Sequence, residues 1–93
     1  MIQVFCVFLV GEPLLLADGT KEMGFYRNEY VASSSEDDAV AKAKARTMER
    51  LARKGAQFIE GKPFVLQVEN VKPSLHLWRI LRSEGFLFFP VDT

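Results

Sequence analysis

Cysteine and histidine are almost missing from this chain of 93 residues, which holds one of each, Cys6 and His76. A lone cysteine cannot close a disulfide within the chain, which excludes the stapled secreted-domain class. Cys6 lies inside an apolar run and reads as a small buried hydrophobe. An activated thiolate would need a neighbouring His or a helix N-terminus. With no second His or Cys, the three or four ligands of a zinc site cannot be assembled, and His76 alone reads as a packing or capping residue. Net charge is missing too: twelve Lys and Arg offset twelve Asp and Glu. That removes the bulk-charge argument for nucleic acid or an anionic surface. No apolar run approaches the roughly 20 residues of a membrane span. The first basic residue, Lys21, comes too late to give Met1–Val10 the positive start of a signal peptide. There is no Gly-rich phosphate loop, since Lys62 is not followed by Ser or Thr, and no nucleophile elbow. The consecutive acids Glu36, Asp37 and Asp38 point in different directions at a helix start and do not converge on a cation. The expectation is a cytoplasmic protein with no membrane partner, no catalytic set, no metal and no cofactor.

What is there is apolar. Forty-eight percent of the side chains are hydrophobic, enough for one small core and too many for a disordered tail, so residues 1–93 read as a single domain. Residues 2–10, Ile-Gln-Val-Phe-Cys-Val-Phe-Leu-Val, mix β-branched and aromatic residues without helical periodicity and predict a strand. Ile2, Val4, Cys6, Phe8 and Val10 share one face; Gln3, Phe5, Val7 and Leu9 share the other. Both faces are apolar, the pattern of a strand covered on both sides. Residues 11–24 read as a connection, with an Asp18-Gly19 turn signal and room for a short hairpin. Residues 25–33 predict a second strand, with Phe25, Arg27, Glu29 and Val31 opposite Tyr26, Asn28, Tyr30 and Ala32.

The helix signal is the clearest. Ser34 or Ser35 can cap it, with Asp37 or Asp38 as a carboxylate variant of the capping box. Acids fill the first turn, Arg50, Arg53 and Lys54 the last, and Gly55 supplies the left-handed residue after the end. Val40, Ala43, Thr47, Met48 and Leu51 form an apolar stripe. Residues 64–71 predict a third strand stopped by Pro73. Ser74 can cap a short second helix ended by Gly85, and residues 86–89 make a last strand ended by Pro90. The fold class is α+β: a two-layer sandwich in the order β-β-α-β-α-β, with about four mostly antiparallel strands, one long helix and one short helix.

Gly24-Phe25-Tyr26 followed by Val31-Ala-Ser and an Ala-rich helix, together with the Gly85-Phe86-Leu87-Phe88-Phe89-Pro90 ending, resembles a group of small, functionally uncharacterised bacterial α+β proteins. The resemblance spans nearly the whole chain. It departs at Asn28 and Glu29, where the usual motif carries Thr or Arg. It implies this fold and a bacterial origin and brings no catalytic residues.

Eight Phe, two Tyr and one Trp exceed what one small core needs, so some are expected at an interface. The residues chosen for that surface are Phe5, Val7, Tyr26, Tyr30 and Phe89, and the expected partner is a second copy of the chain or another protein. The less favoured alternative is nucleic-acid binding through a basic ridge, Lys42, Arg46, Arg50 and Arg53, on the long helix. The third is a small-molecule binder or small enzyme with a pocket between sheet and helices, near His76, Trp78 and Tyr26. An immunity-type partner protein is compatible with the same features.

Overall fold

The computed structural model describes residues 2–16, 19, 21–74 and 85–91. Within them run β1 (Gln3–Leu14), β2 (Met23–Ser33), α1 (Glu36–Arg53), β3 (Val65–Ser74) and β4 (Leu87–Pro90). The strands form one antiparallel sheet in the order β3-β1-β2-β4. With α1 against one face, this is the expected α+β sandwich. The short helix expected after Ser74 falls on residues 75–84, outside the described residues, as do Ala17, Asp18 and Thr20 of the expected turn.

Several strand boundaries shift by a residue or two, Pro90 lying within β4 rather than ending it, and two differences are larger. Residues 11–14 continue β1 rather than beginning a connection, and Leu14 pairs with Met23 across an irregularity after Gly11. Residues 11–14 and 23–24 therefore extend the β1–β2 pair, while Leu15 bridges to Gln57. Pro73 does not stop β3, which runs on to Ser74 with Phe5 opposite Pro73. Among the described strands β3 has one neighbour, β1. An edge strand has a side without a ladder, where a missing N–H forfeits no sheet hydrogen bond.

The caps follow the sequence signals in altered form. Ser35 is the N-cap, and its Oγ accepts the Asp38 N–H at 3.2 Å. The Asp38 carboxylate does not return to the N-cap N–H as in a capping box. It takes the Ser33 hydroxyl at 2.7 Å, while the Ser35 N–H is accepted by Ser33 Oγ at 3.2 Å. Ser33, buried at the end of β2, thus relays the box and ties the helix start to the sheet. At the other end Ala56 N–H reaches Leu51 O and Gly55 N–H reaches Ala52 O, each at 3.1 Å. Gly55 has φ 76°, so this is a Schellman closure that a β-carbon would strain.

Small residues let the helix approach the sheet. Ala39 and Ala43 are fully buried against Phe5, Val7, Leu9 and Val31, with Val40, Leu66, Val68 and Val71 around them. Toward the helix end Leu51 joins Leu14 and Phe25. Phe25 is ringed by Phe64, Phe86 and Phe88 at centroid distances of 6.2, 5.0 and 6.3 Å. Gly11 makes room for this cluster: a β-carbon there would meet the Phe25 ring at 2.7 Å.

The helix also covers two charges. Arg27 and Glu29 lie on the same side of β2 as Phe25 and Val31 and are only 3% and 4% exposed. Arg27 Nε donates to Glu29 Oε2 at 2.8 Å. Its guanidinium lies 4.6 Å from the Phe86 ring centroid, and Arg50 reaches Glu29 Oε1 at 3.9 Å. A buried pair adds little over apolar residues of the same shape, but losing one partner strands the other. Arg27→Met is expected to cost about 3–5 kcal/mol in urea denaturation, with most of it restored in Arg27→Met/Glu29→Leu. No recovery in the double variant would show that Arg27 matters through packing alone.

Asp38 titrates below the ordinary carboxylate range, chiefly through the Ser33 hydroxyl and then through Lys42. A carboxylate held lower in the folded than in the unfolded chain stabilises at neutral pH and loses that effect as pH falls through its folded value. The melting-temperature gap between the wild type and Asp38→Asn is therefore expected to close below about pH 4. A gap that persists at pH 2 would contradict the coupling.

Candidate functional site

Alternation along paired strands sorts every side chain onto one of two faces. The core under α1 is built from Phe5, Val7, Leu9 and Val31. The opposite face carries Val4, Cys6, Phe8, Val10 and Glu12 from β1 and Gly24, Tyr26, Asn28, Tyr30 and Ala32 from β2. Leu87 and Phe89 of β4 pair with Tyr26 and Gly24 and join it. Val65, Gln67, Asn70 and Lys72 of β3 complete it.

This face is where apolar surface is left in water. Five large hydrophobic residues are exposed among the described ones, and four of them, Ile2 (73%), Tyr26 (41%), Val65 (47%) and Leu87 (67%), lie on it or in phase with it. The fifth, Phe58, is on the loop before β3. One end of the face is closed, since Val4 and Cys6 are buried, and Cys6 Sγ lies 3.7 Å from Asn28 Oδ1. The other end is open and aromatic. Phe8 and Tyr26 stand 5.7 Å apart and Tyr26 and Phe89 4.9 Å apart, a diagonal row across three strands. Phe89 can lie flat because its partner is Gly24: a β-carbon at Gly24 would collide with the Phe89 ring. Beside the row is a pocket of about 320 Å³ lined by Phe8, Tyr26, Arg27, Asn28, Gly85 and Leu87.

The five residues chosen from the sequence do not form one surface. Tyr26, Tyr30 and Phe89 share the open face. Phe5 and Val7 are 5% and 0% exposed on the other face, beneath α1. Within β1 they differ by an odd number of positions from the residues that do share the open face, Phe8 among them, and a strand's side-chain period of two separates them. Phe8, Leu87 and Val65 were missed. Phe8 was legible, since it shares parity with Val4 and Cys6. Both faces of β1 are apolar, so alternation alone does not tell which of Phe5/Val7 and Phe8 lies beneath the helix.

The basic ridge is occupied within the chain. Lys42 pairs with Asp38 at 3.0 Å, Arg53 with Glu49 at 2.6 Å and Arg50 with Glu29 at 3.9 Å. Arg46 Nη1 donates to the Tyr30 carbonyl at 3.4 Å. His76 and Trp78, which frame the third reading, lie outside the described residues. A second, shallower groove of about 660 Å³ lies between Met48 and the loop Phe58–Phe64. Its one charged lining residue, Lys62, is paired with Glu22. Among the described residues no three His, Cys, Asp or Glu side chains gather as a metal site, and no helix is long and apolar enough to cross a membrane.

Comparison with known proteins finds no matching family model, curated protein or solved structure. The geometry of the open face therefore carries the functional argument alone. Its aromatic row depends on Gly24, and Gly24→Ala is expected to cost about 1–3 kcal/mol by displacing Phe89. Urea denaturation measures this, and a cost below 0.5 kcal/mol, on the order of a neutral surface change, would show that the ring is not held there.

Proposed function

We propose that this protein acts by association through the sheet face opposite α1, and that its partner on that face is a second copy of the chain. The observation that carries the reading is that three exposed hydrophobic residues, Tyr26, Val65 and Leu87, stand at the open end of the one face that α1 does not cover, with Ile2 in phase at the far end beyond the buried Val4 and Cys6. Apolar patches of this kind mark association sites rather than ordinary surface.

Charge permits self-pairing. The aromatic row of the face, Phe8, Tyr26 and Phe89 with Asn28 and Leu87 beside it, carries no charged residue of its own, and the acid at that end, Glu12, stands at its margin opposite Val65 and beside Gly24. The chain as a whole has a formal net charge of +0, so no long-range field keeps the copies apart. Area sets the strength. A face of 12 residues along β1 and three strand spacings across measures about 40 by about 14 Å. Two such faces bury at most about 1,200 Å², the lower end of specific interfaces. The expected dimer is reversible, with Kd in the micromolar range. The ridge on α1 supports nucleic-acid binding less well, because Lys42, Arg50 and Arg53 already have carboxylate partners. We assign the protein to the cytoplasm, where its single buried thiol, Cys6, stays reduced.

Sedimentation equilibrium between about 1 and 500 µM is expected to show a monomer–dimer equilibrium, given the small area available. Tyr26→Asp is expected to shift it to monomer while the far-UV circular dichroism stays unchanged. A wild-type chain that remains monomeric throughout that range would sink the proposal. So would a dimer indifferent to Tyr26→Asp, or one dissolved by moderate salt.

A further inference from the structure

Resting on that reading, we infer that the two copies are held in register by exchange of Leu87, each copy seating this side chain in the pocket of the other beside Phe8, Tyr26 and Asn28. β4 pairs with β2 only over Met23–Tyr26, so Leu87, opposite Tyr26, is the last rung of that ladder. It is also 67% exposed, the most exposed large hydrophobic residue within a strand. The pocket of about 320 Å³ opens directly beside it, and Leu87 itself forms part of the wall.

A projection and a recess side by side on one patch are what a two-fold contact requires. Rotation about an axis between them places each projection in the partner's recess at the same moment, and the contact closes on itself. The same projection facing a recess elsewhere on the molecule would build an open chain instead. The space suffices: a cavity of about 150 Å³ already accepts a benzene-sized group. The chemistry suits an aliphatic side chain, with two aromatic walls from Phe8 and Tyr26. The one charged residue in the lining, Arg27, has its guanidinium on the opposite side of the sheet, against Glu29 and Phe86. No like charges are therefore brought together when the two pockets fill. The exchange would also fix the rotation of one sheet on the other, which a merely greasy face leaves free.

Two substitutions separate this inference from the broader one. Leu87→Ala removes the projection at an exposed position. Gly85→Leu fills the mouth of the recess at a place where a β-carbon meets no atom within 4 Å. Neither disturbs the core, and thermal melts are expected to match the wild type. Each is expected to raise the dimer Kd at least about tenfold in sedimentation equilibrium. Because both remove the same contact, Leu87→Ala/Gly85→Leu is expected to be no weaker than the weaker single variant. A dimer that forms normally but ignores both substitutions, or shows fully additive losses, overturns the exchange of Leu87 and leaves the face as an association surface. A wild-type chain that never dimerises overturns both.

Discussion

The close seating of α1 on the sheet, with Ala39 and Ala43 against Phe5, Val7, Leu9 and Val31, is the contact on which the rest of the molecule depends. Without large side chains between them, helix and sheet approach closely enough to bury both the apolar stripe and the Arg27–Glu29 pair behind it. A helix about 10 Å across covers one face of a sheet and no more. By taking the face of Phe5 and Val7, α1 leaves that of Phe8 and Tyr26 without a helix among the described residues. The uncovered aromatic row is thus a consequence of where the helix docks, in a strand that is apolar on both sides.

The remaining features push association toward that face and away from the alternatives. The edge strand β3 is blunted. Its pairing with β1 is interrupted between Phe8 and Leu9, Lys72 is exposed upon it, and Pro73 lies near its end. These are common devices against edge-to-edge pairing. The helix surface is charged, and Lys42, Arg53 and Arg50 on it pair with Asp38, Glu49 and Glu29. Such pairs keep a surface solvated while adding little stability. What is left for a partner is the aromatic end of the open face, with Glu12 at its margin, where burial of aromatic and aliphatic side chains is the large favourable term.

Local structure was largely legible in the residues. The caps at Ser35 and Gly55, the stripe of Ala43, Thr47 and Leu51, and the strand at the N-terminus all appear where their local chemistry places them. The misses are non-local. Pro73 reads as a stop because proline lacks an N–H, yet only the sheet order shows that its strand has a free side. The extension of β1 to Leu14 depends on its pairing with Met23, nine residues further on. The capping box is the local exception: it runs through Ser33, two residues before the N-cap, because three serines in a row offer more than one partner for the Asp38 carboxylate.

The candidate site divides the same way. Alternation alone determined which residues travel together: Tyr26 with Asn28 and Tyr30, Phe8 with Cys6 and Val10, Arg27 with Glu29. It could not say which of β1's faces would be covered, since both are apolar and hydrophobicity has no direction. Nor could it show that Arg27 and Glu29 lie inward, because a charge reads as solvated until its partner is placed 2.8 Å away. Only the docking of α1, a contact between segments some thirty residues apart, decided that Phe5 and Val7 belong to the core and that Phe8, Tyr26 and Leu87 face outward.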